Sequence, residues 1–243
     1  GITLDELSLA PILAARTLVE TEPNYAQVSA RLLLDKLRRE ALSFVEGRPA
    51  QATQTEMADR YPAYFEAFIK AGIEAEMIDP ELGRFDLKKL GAALQPERDL
   101  QFQYLGLQTL YDRYFLHKDE VRFELPQAFF MRVAMGLAVR EIDREARAIE
   151  FYQLLSSFDF MCSTPTLFNA GTLRPQLSSC FLTTVSDDLD GIFKAIKDNA
   201  LLAKYSGGLG NDWTPVRGLG ARIKGTNGKS QGIVPFLKVA NDT

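Results

Sequence analysis

Gln176 to Val185 (QLSSCFLTTV) carries no charge, is rich in apolar and β-branched side chains, and is fenced by Arg174-Pro175 before it and Ser186-Asp187-Asp188 after it. A run this short with this composition predicts a buried strand rather than a free-standing helix. Such a strand is poorly suited to a solvent-exposed edge, because its unpaired backbone groups need neighbours and its side chains need cover. It holds Cys180, one of only two cysteines. Upstream, Thr164-Pro165-Thr166 and Asn169-Ala170-Gly171-Thr172 predict turns, since proline fixes φ while asparagine and glycine tolerate left-handed geometry. Cys180 has two readings here. A free cysteine packs well as a small buried hydrophobe. The hydroxyls of Ser178 and Ser179 beside it, which a purely packing strand does not need, make chemistry plausible without naming it.

The 243 residues are enough for a substantial core in one large domain or two. Two cysteines make no disulfide framework, so a reducing cytoplasm is expected. No apolar run has the length of a membrane span, and the net charge of −4 gives no overall attraction to nucleic acid or anionic lipid.

Upstream of residue 160 the periodicity is helical. Thr3 and Glu6 have capping-box spacing before the apolar run Leu7 to Val19. Tyr25 to Val45 repeats apolar residues at helical period and ends at Gly47. Glu56 to Ala71 reads as a helix interrupted at Tyr61-Pro62. Leu87 to Leu94 and Leu100 to Leu116 follow, then a hairpin with its turn at His117 to Glu120. Further helices are expected from Pro126 to about Val139 and from Asp143 to Ser156. His117, the only histidine, is read as a surface residue. The aromatics Phe129, Phe130, Phe151, Tyr152, Phe158 and Phe160 are read as a packing seam toward the following domain.

Composition then shifts: ten of the seventeen glycines lie between Gly171 and Gly232. Asp187 and Asp188 can cap a helix from Leu189 to about Tyr205, whose broad apolar stripe could serve both a core and a partner helix. Pro215 to Ser230 (PVRGLGARIKGTNGKS) places Arg217, Arg222, Lys224 and Lys229 among glycines, with no acid between Asp212 and Asp242. This suits a loop or β-ribbon wrapping a phosphate, and equally a solvated basic hairpin. A Walker A loop is disfavoured, because its earlier glycine would fall at Ile223.

Taken in order, STPTLFNAGT, QLSSCFL, DDLDGI, KYSGGLG, VRGLGARIKGTNG and VPFLKVANDT closely resemble the large (α) subunit of ribonucleotide reductase. The match is strong from Ser163 to Thr243 and weaker upstream. ELPQAFFMRVAMGLA at 124–138 is similar to the aerobic, two-subunit class I form. Cobalamin-dependent class II enzymes share several blocks and are the alternative within the family. A nucleotide-binding regulatory module without chemistry is the alternative outside it.

The resemblance implies an α/β fold: a helical N-terminal domain over 1–160, then over 161–243 the first part of a ten-stranded α/β barrel. Cys180 matches the first-strand cysteine that, with a second and distant one, reduces the ribose 2′ position and becomes a disulfide. Thr164 and Ser179 match positions holding substrate diphosphate or ribose, and Gly208 lies in the glycine turn lining the substrate pocket. Asp187, Asp188, Leu189, Lys204, Arg217 and Lys224 match the site where a deoxynucleoside triphosphate or ATP selects the base to be reduced. No metal or cofactor is expected on this chain, the radical coming from a separate metal-containing β subunit. Expected partners are a thioredoxin- or glutaredoxin-type reductant, a second α subunit through helix 189–205, and a complementary C-terminal piece of α. That last expectation arises because the matching blocks stop before the family's other catalytic cysteines. The chain also begins after the place where many members carry an ATP-binding cone.

Overall fold

The computed structural model describes residues 1, 4–204 and 208–242. They form two compact units, residues 1–175 and 176–243. The capping box expected at Thr3 involves a residue outside the described ones.

In the first unit, α1 (Leu4–Thr17), α2 (Tyr25–Glu46) and α3 (Gln54–Glu74) are followed by α4 (Leu87–Ala92) and α5 (Tyr104–Arg113), with short 3-10 turns at Pro80–Arg84 and Pro96–Gln101. Gly47 ends α2 in the left-handed conformation. Thr53 and Glu56 close a capping box on α3. That helix runs through Pro62 without the expected interruption. Proline removes one backbone hydrogen bond, but the turns on either side bury Met57, Tyr61, Tyr64, Phe65 and Phe68, which outweighs the loss. The hairpin forms from β1 (His117–Lys118) and β2 (Val121–Arg122), and Asp119 and Glu120 both take positive φ to turn it. His117 is exposed there.

Helices α6 (Pro126–Ala138) and α7 (Arg144–Ser156) complete the core. Phe129, Phe130 and Tyr152 are fully buried, and Phe158 packs edge-on to Phe102 and Phe130. The aromatic group is thus largely core within the helical unit, while Phe158 and Phe160 are exposed, Phe160 the more so at 58%.

Thr164-Pro165-Thr166, expected as a turn, opens the short helix α8 (Thr164–Asn169). Pro165 sits in its first turn, where a missing N–H costs nothing. The turn at Asn169 to Thr172 does form, with Gly171 at φ +76°. A β-carbon on Gly136 would lie 2.2 Å from the Gly171 nitrogen, so only glycine lets this turn rest on α6. Arg132 of α6, fully buried, donates to the carbonyls of Ala170 and Leu167 and to the buried Glu124 carboxylate. These contacts explain why residues 161–175 pack with the helical unit, beyond the expected boundary at 160.

In the second unit, β3 (Cys180–Thr184) pairs in parallel with β4 (Gly208–Asp212), and α9 (Leu189–Ala203) connects them. This strand–helix–strand crossover is the elementary piece of an α/β barrel. An antiparallel ribbon of β5 (Leu219–Arg222) and β6 (Lys229–Gln231) follows, then α10 (Val234–Asp242), a helix the sequence reading did not anticipate. Val185, Ile192, Ala195, Ile196 and Val216 form the core, with Trp213, Ile233, Phe236 and Ala240 against it.

Two expectations about the strand are corrected. Residues 176–179 are not strand, and Cys180–Thr184 is not buried: Leu182 is 84% exposed. Among the described residues, β3 has one strand neighbour and α9 over one face, leaving its apolar residues only partly covered.

Candidate functional site

Cys180 opens β3 as a free, exposed thiol. Directly across the ladder is Gly208, whose N–H donates to the Ser179 carbonyl at 2.8 Å. A β-carbon at Gly208 would lie 3.6 Å from the Cys180 sulfur, so its absence leaves the approach to the thiol uncrowded. Ser179 is exposed beside it. The other cysteine, Cys162, is half-buried, and burial pushes its thiol up. A thiol that must become thiolate to react is disfavoured there.

Beyond the far end of β3 the chain enters a cleft of about 530 Å³. Asp187, Asp188 and Leu189 line one wall, Arg217 and Ile223 another, and Lys229, Ser230 and Phe236 close it. Asp188 caps α9 by accepting from the Gly191 N–H at 2.8 Å and from the Ser186 hydroxyl at 2.7 Å. Those two bonds, the backbone one foremost, hold its carboxyl below the usual range. Asp187 accepts from the Arg217 backbone N–H at 3.1 Å and from its guanidinium Nε at 2.9 and 3.0 Å. Its carboxyl is likewise held low, first by that backbone N–H and then by the guanidinium. One carboxylate thereby ties the basic ribbon to the start of α9. Arg217 also donates to the Arg222 carbonyl at 3.3 Å, steadying the ribbon from inside.

The cleft combines a cation pair, Arg217 and Lys229, with a hydroxyl at Ser230 and an apolar floor of Ile192, Val216 and Phe236. That set suits an anion attached to a flat or apolar body. Lys224 and Lys204 do not line it: Lys224 is exposed in the ribbon turn and Lys204 is the C-cap of α9. Lys229, Ser230 and Phe236 were not assigned to a site from the sequence. Lys229 was visible as a cation in the basic stretch, but Phe236 comes from a helix that was not expected.

Thr164, in the helical unit, is exposed at the start of α8 and its hydroxyl lies 3.0 Å from the phenol of Tyr114. Among the described residues, no helix is long and apolar enough to cross a membrane, and no group of three or more His, Cys, Asp or Glu side chains is arranged for a metal.

Residues 100–175 match the family described as ribonucleotide reductase, all-alpha domain, and residues 178–243 match ribonucleotide reductase, barrel domain. The ribonucleoside-diphosphate reductase subunit alpha of Chlamydia muridarum is 52% identical over 244 residues, covering 100% of this chain and 23% of that protein. The corresponding subunit of Helicobacter pylori strain 26695 is 41% identical over 244 residues, with 99% and 29% covered. The ribonucleoside-diphosphate reductase large subunit of Arabidopsis thaliana is 34% identical over 248 residues, with 100% and 29% covered. The chain therefore spans less than a third of the length of these relatives. The two family matches meet where the two compact units meet, and with similarity along the whole chain to these subunits they show that the chain belongs to the ribonucleotide reductase large-subunit family.

Proposed function

We propose that this chain is the part of a ribonucleoside-diphosphate reductase large subunit that carries one redox cysteine and most of an effector site. The observation that carries the reading is the course of β3. The strand, roughly 13 Å long at about 3.3 Å per residue, runs from an exposed thiol beside Gly208 toward a cation-lined cleft. Reaction and regulation are separated by one stiff element.

In this reading Cys180 and a second cysteine, from sequence outside this chain, give up two electrons and two protons. The ribose 2′-hydroxyl leaves as water, a hydrogen takes its place, and the two sulfurs become a disulfide. A dithiol reductant of the thioredoxin or glutaredoxin kind then restores the thiols. Thr164, Ser179 and Gly208 serve the substrate nucleoside diphosphate. Asp187, Asp188, Leu189 and Arg217 serve a deoxynucleoside triphosphate or ATP, with Lys229 and Ser230 added by their place in the cleft. Lys204 and Lys224 belong to that site by family match alone. The initiating radical comes from a separate metal-containing subunit. Helix α9 serves a second α subunit, which its exposed Leu189, Phe193 and Leu201 support. Two free thiols favour a reducing compartment such as the cytoplasm.

The test is deoxynucleotide formation by a complete large subunit with its radical-generating partner. Cys180→Ser should abolish turnover with a dithiol reductant while leaving effector binding intact. Turnover that survives the substitution removes Cys180 from the mechanism.

A further inference from the structure

Thr164 and Phe168 stand four residues apart on α8, hence on one face of the helix. Tyr114, the C-cap of α5, lies along that face. Its ring stacks on Phe168 with centroids 4.5 Å apart and planes 20° from parallel, and its hydroxyl is 3.0 Å from the Thr164 oxygen. The stack fixes where the phenol oxygen sits, so the hydrogen bond is held by packing fifty residues away in sequence.

Either oxygen could donate in this pair, and the direction decides what Thr164 offers outward. When Thr164 donates to Tyr114, its outward side presents lone pairs, which repel an anion. When Tyr114 donates, the Thr164 O–H is released to donate in its turn. A phenol is the stronger acid of the two, and a chain of O–H donors pointing one way toward an anion is mutually polarised. Thr164 is exposed, so its freed hydroxyl is available to a ligand.

We propose that Tyr114 is a positioning residue that orients the Thr164 hydroxyl as a donor to the diphosphate of the substrate. This rests on the reading above that gives Thr164 to that diphosphate. Tyr114 touches no reacting atom. It sets how well the substrate is held, not the rate of the chemistry.

Tyr114→Phe removes one oxygen and keeps the ring stack. In the reconstituted reductase it should raise KM for the nucleoside diphosphate about two- to tenfold, the range of one hydrogen bond, with kcat unchanged. Thr164→Val should raise KM at least as much. The double variant should be no worse than Thr164→Val alone, because the phenol acts only through that hydroxyl. If Thr164→Val raises KM and Tyr114→Phe does not, the role of Tyr114 is overturned and the reading of Thr164 stands. Additive losses, or a fall in kcat with KM unchanged in Tyr114→Phe, overturn the role of Tyr114 as well. An unchanged KM in Thr164→Val overturns both the inference and the reading beneath it.

Discussion

Asn199 and Asn211 exchange both amide hydrogen bonds, at 2.6 and 3.1 Å, tying the core-facing stripe of α9 to β4. Each amide is partly buried, and each satisfies the other. A reciprocal polar pair on an otherwise apolar face admits one register, as a slip of a helical turn would leave both amides unpaired. Asn211→Leu should cost roughly 1–3 kcal/mol, and adding Asn199→Leu should return part of it, since two leucines leave no orphan. Asn199→Asp gives a pH signature. The ionised carboxylate cannot donate to the Asn211 oxygen, whereas the protonated acid can. Its neutral form is favoured in the fold, so stability should be highest at low pH and be lost as pH rises through the folded pKa. Urea unfolding at several pH values, compared with the native chain, measures this.

Arg217 has two duties, pinning the ribbon to Asp187 and lining the cleft. Arg217→Ala should weaken triphosphate binding about tenfold or more, the scale of a lost charge-assisted hydrogen bond. Calorimetry on the assembled large subunit checks it. Because the Asp187 carboxyl is held low, its contribution is complete above the ordinary carboxylate range, near pH 4, and declines as pH falls through the depressed folded value. Effector affinity should therefore not change between pH 6 and 8 on account of Asp187. Unchanged affinity in the Arg217→Ala, Lys224→Ala double variant would mean that the ribbon is only solvated.

Asp99 behaves in the opposite sense. It is fully buried, accepting from Tyr61 and Gln127 at 2.8 Å each and lying 3.8 Å from Arg38. Burial wins over these partners and raises its pKa to about 6. The folded state thus takes up a proton that the unfolded chain, with its ordinary value near 4, releases. This stabilisation is full below about pH 4 and is lost as pH rises through 6. The stability of the native chain relative to Asp99→Asn should increase on acidifying from pH 7 to 5. A difference that stays flat over that interval would show that Asp99 does not titrate there.

The buried Arg132–Glu124 pair carries the largest expected loss. Glu124 also accepts from the Leu116 N–H at 2.9 Å, so the pair joins the hairpin, α6 and the turn after α8. Arg132→Ala should destabilise by roughly 3–5 kcal/mol, because it leaves a buried carboxylate uncompensated. Replacing both, with Arg132→Met and Glu124→Leu, should be milder. Chemical denaturation of the two variants, against the native chain, separates the outcomes.

Much of the helical unit was legible because its signals are local. The period of Tyr25 to Val45, the glycine after it and the proline opening α6 each act within a turn or two. Pro62 misled because its local cost is outweighed by burial contributed from elsewhere in the unit. The packing of the 161–175 segment with the helical unit has the same origin, since Arg132 reaches it from α6. In the second unit, Asp187, Asp188 and Arg217 stood out by charge and family match, and the cleft does bring them together. Phe236 and the Asn199–Asn211 pair carry no mark in the sequence, because their partners come from separate elements. Nor could composition tell that Tyr114 faces Thr164 across fifty residues.

The opening beside Cys180 yields the last prediction. A methyl at Gly208 would meet the Ser179 carbonyl at 3.5 Å and the thiol at 3.6 Å, both ordinary contacts, so Gly208→Ala should fold normally. It would nevertheless fill the space through which a reagent reaches sulfur from the β4 side. Alkylation of Cys180 by small iodoacetamide should slow little, while a bulky maleimide should slow several-fold, and Cys162 provides an internal reference in the same chain. Mass spectrometry of the two cysteine peptides against time gives both rates. Equal slowing by both reagents would point to a change in the thiol itself, and no slowing by either would show that β4 does not border its approach.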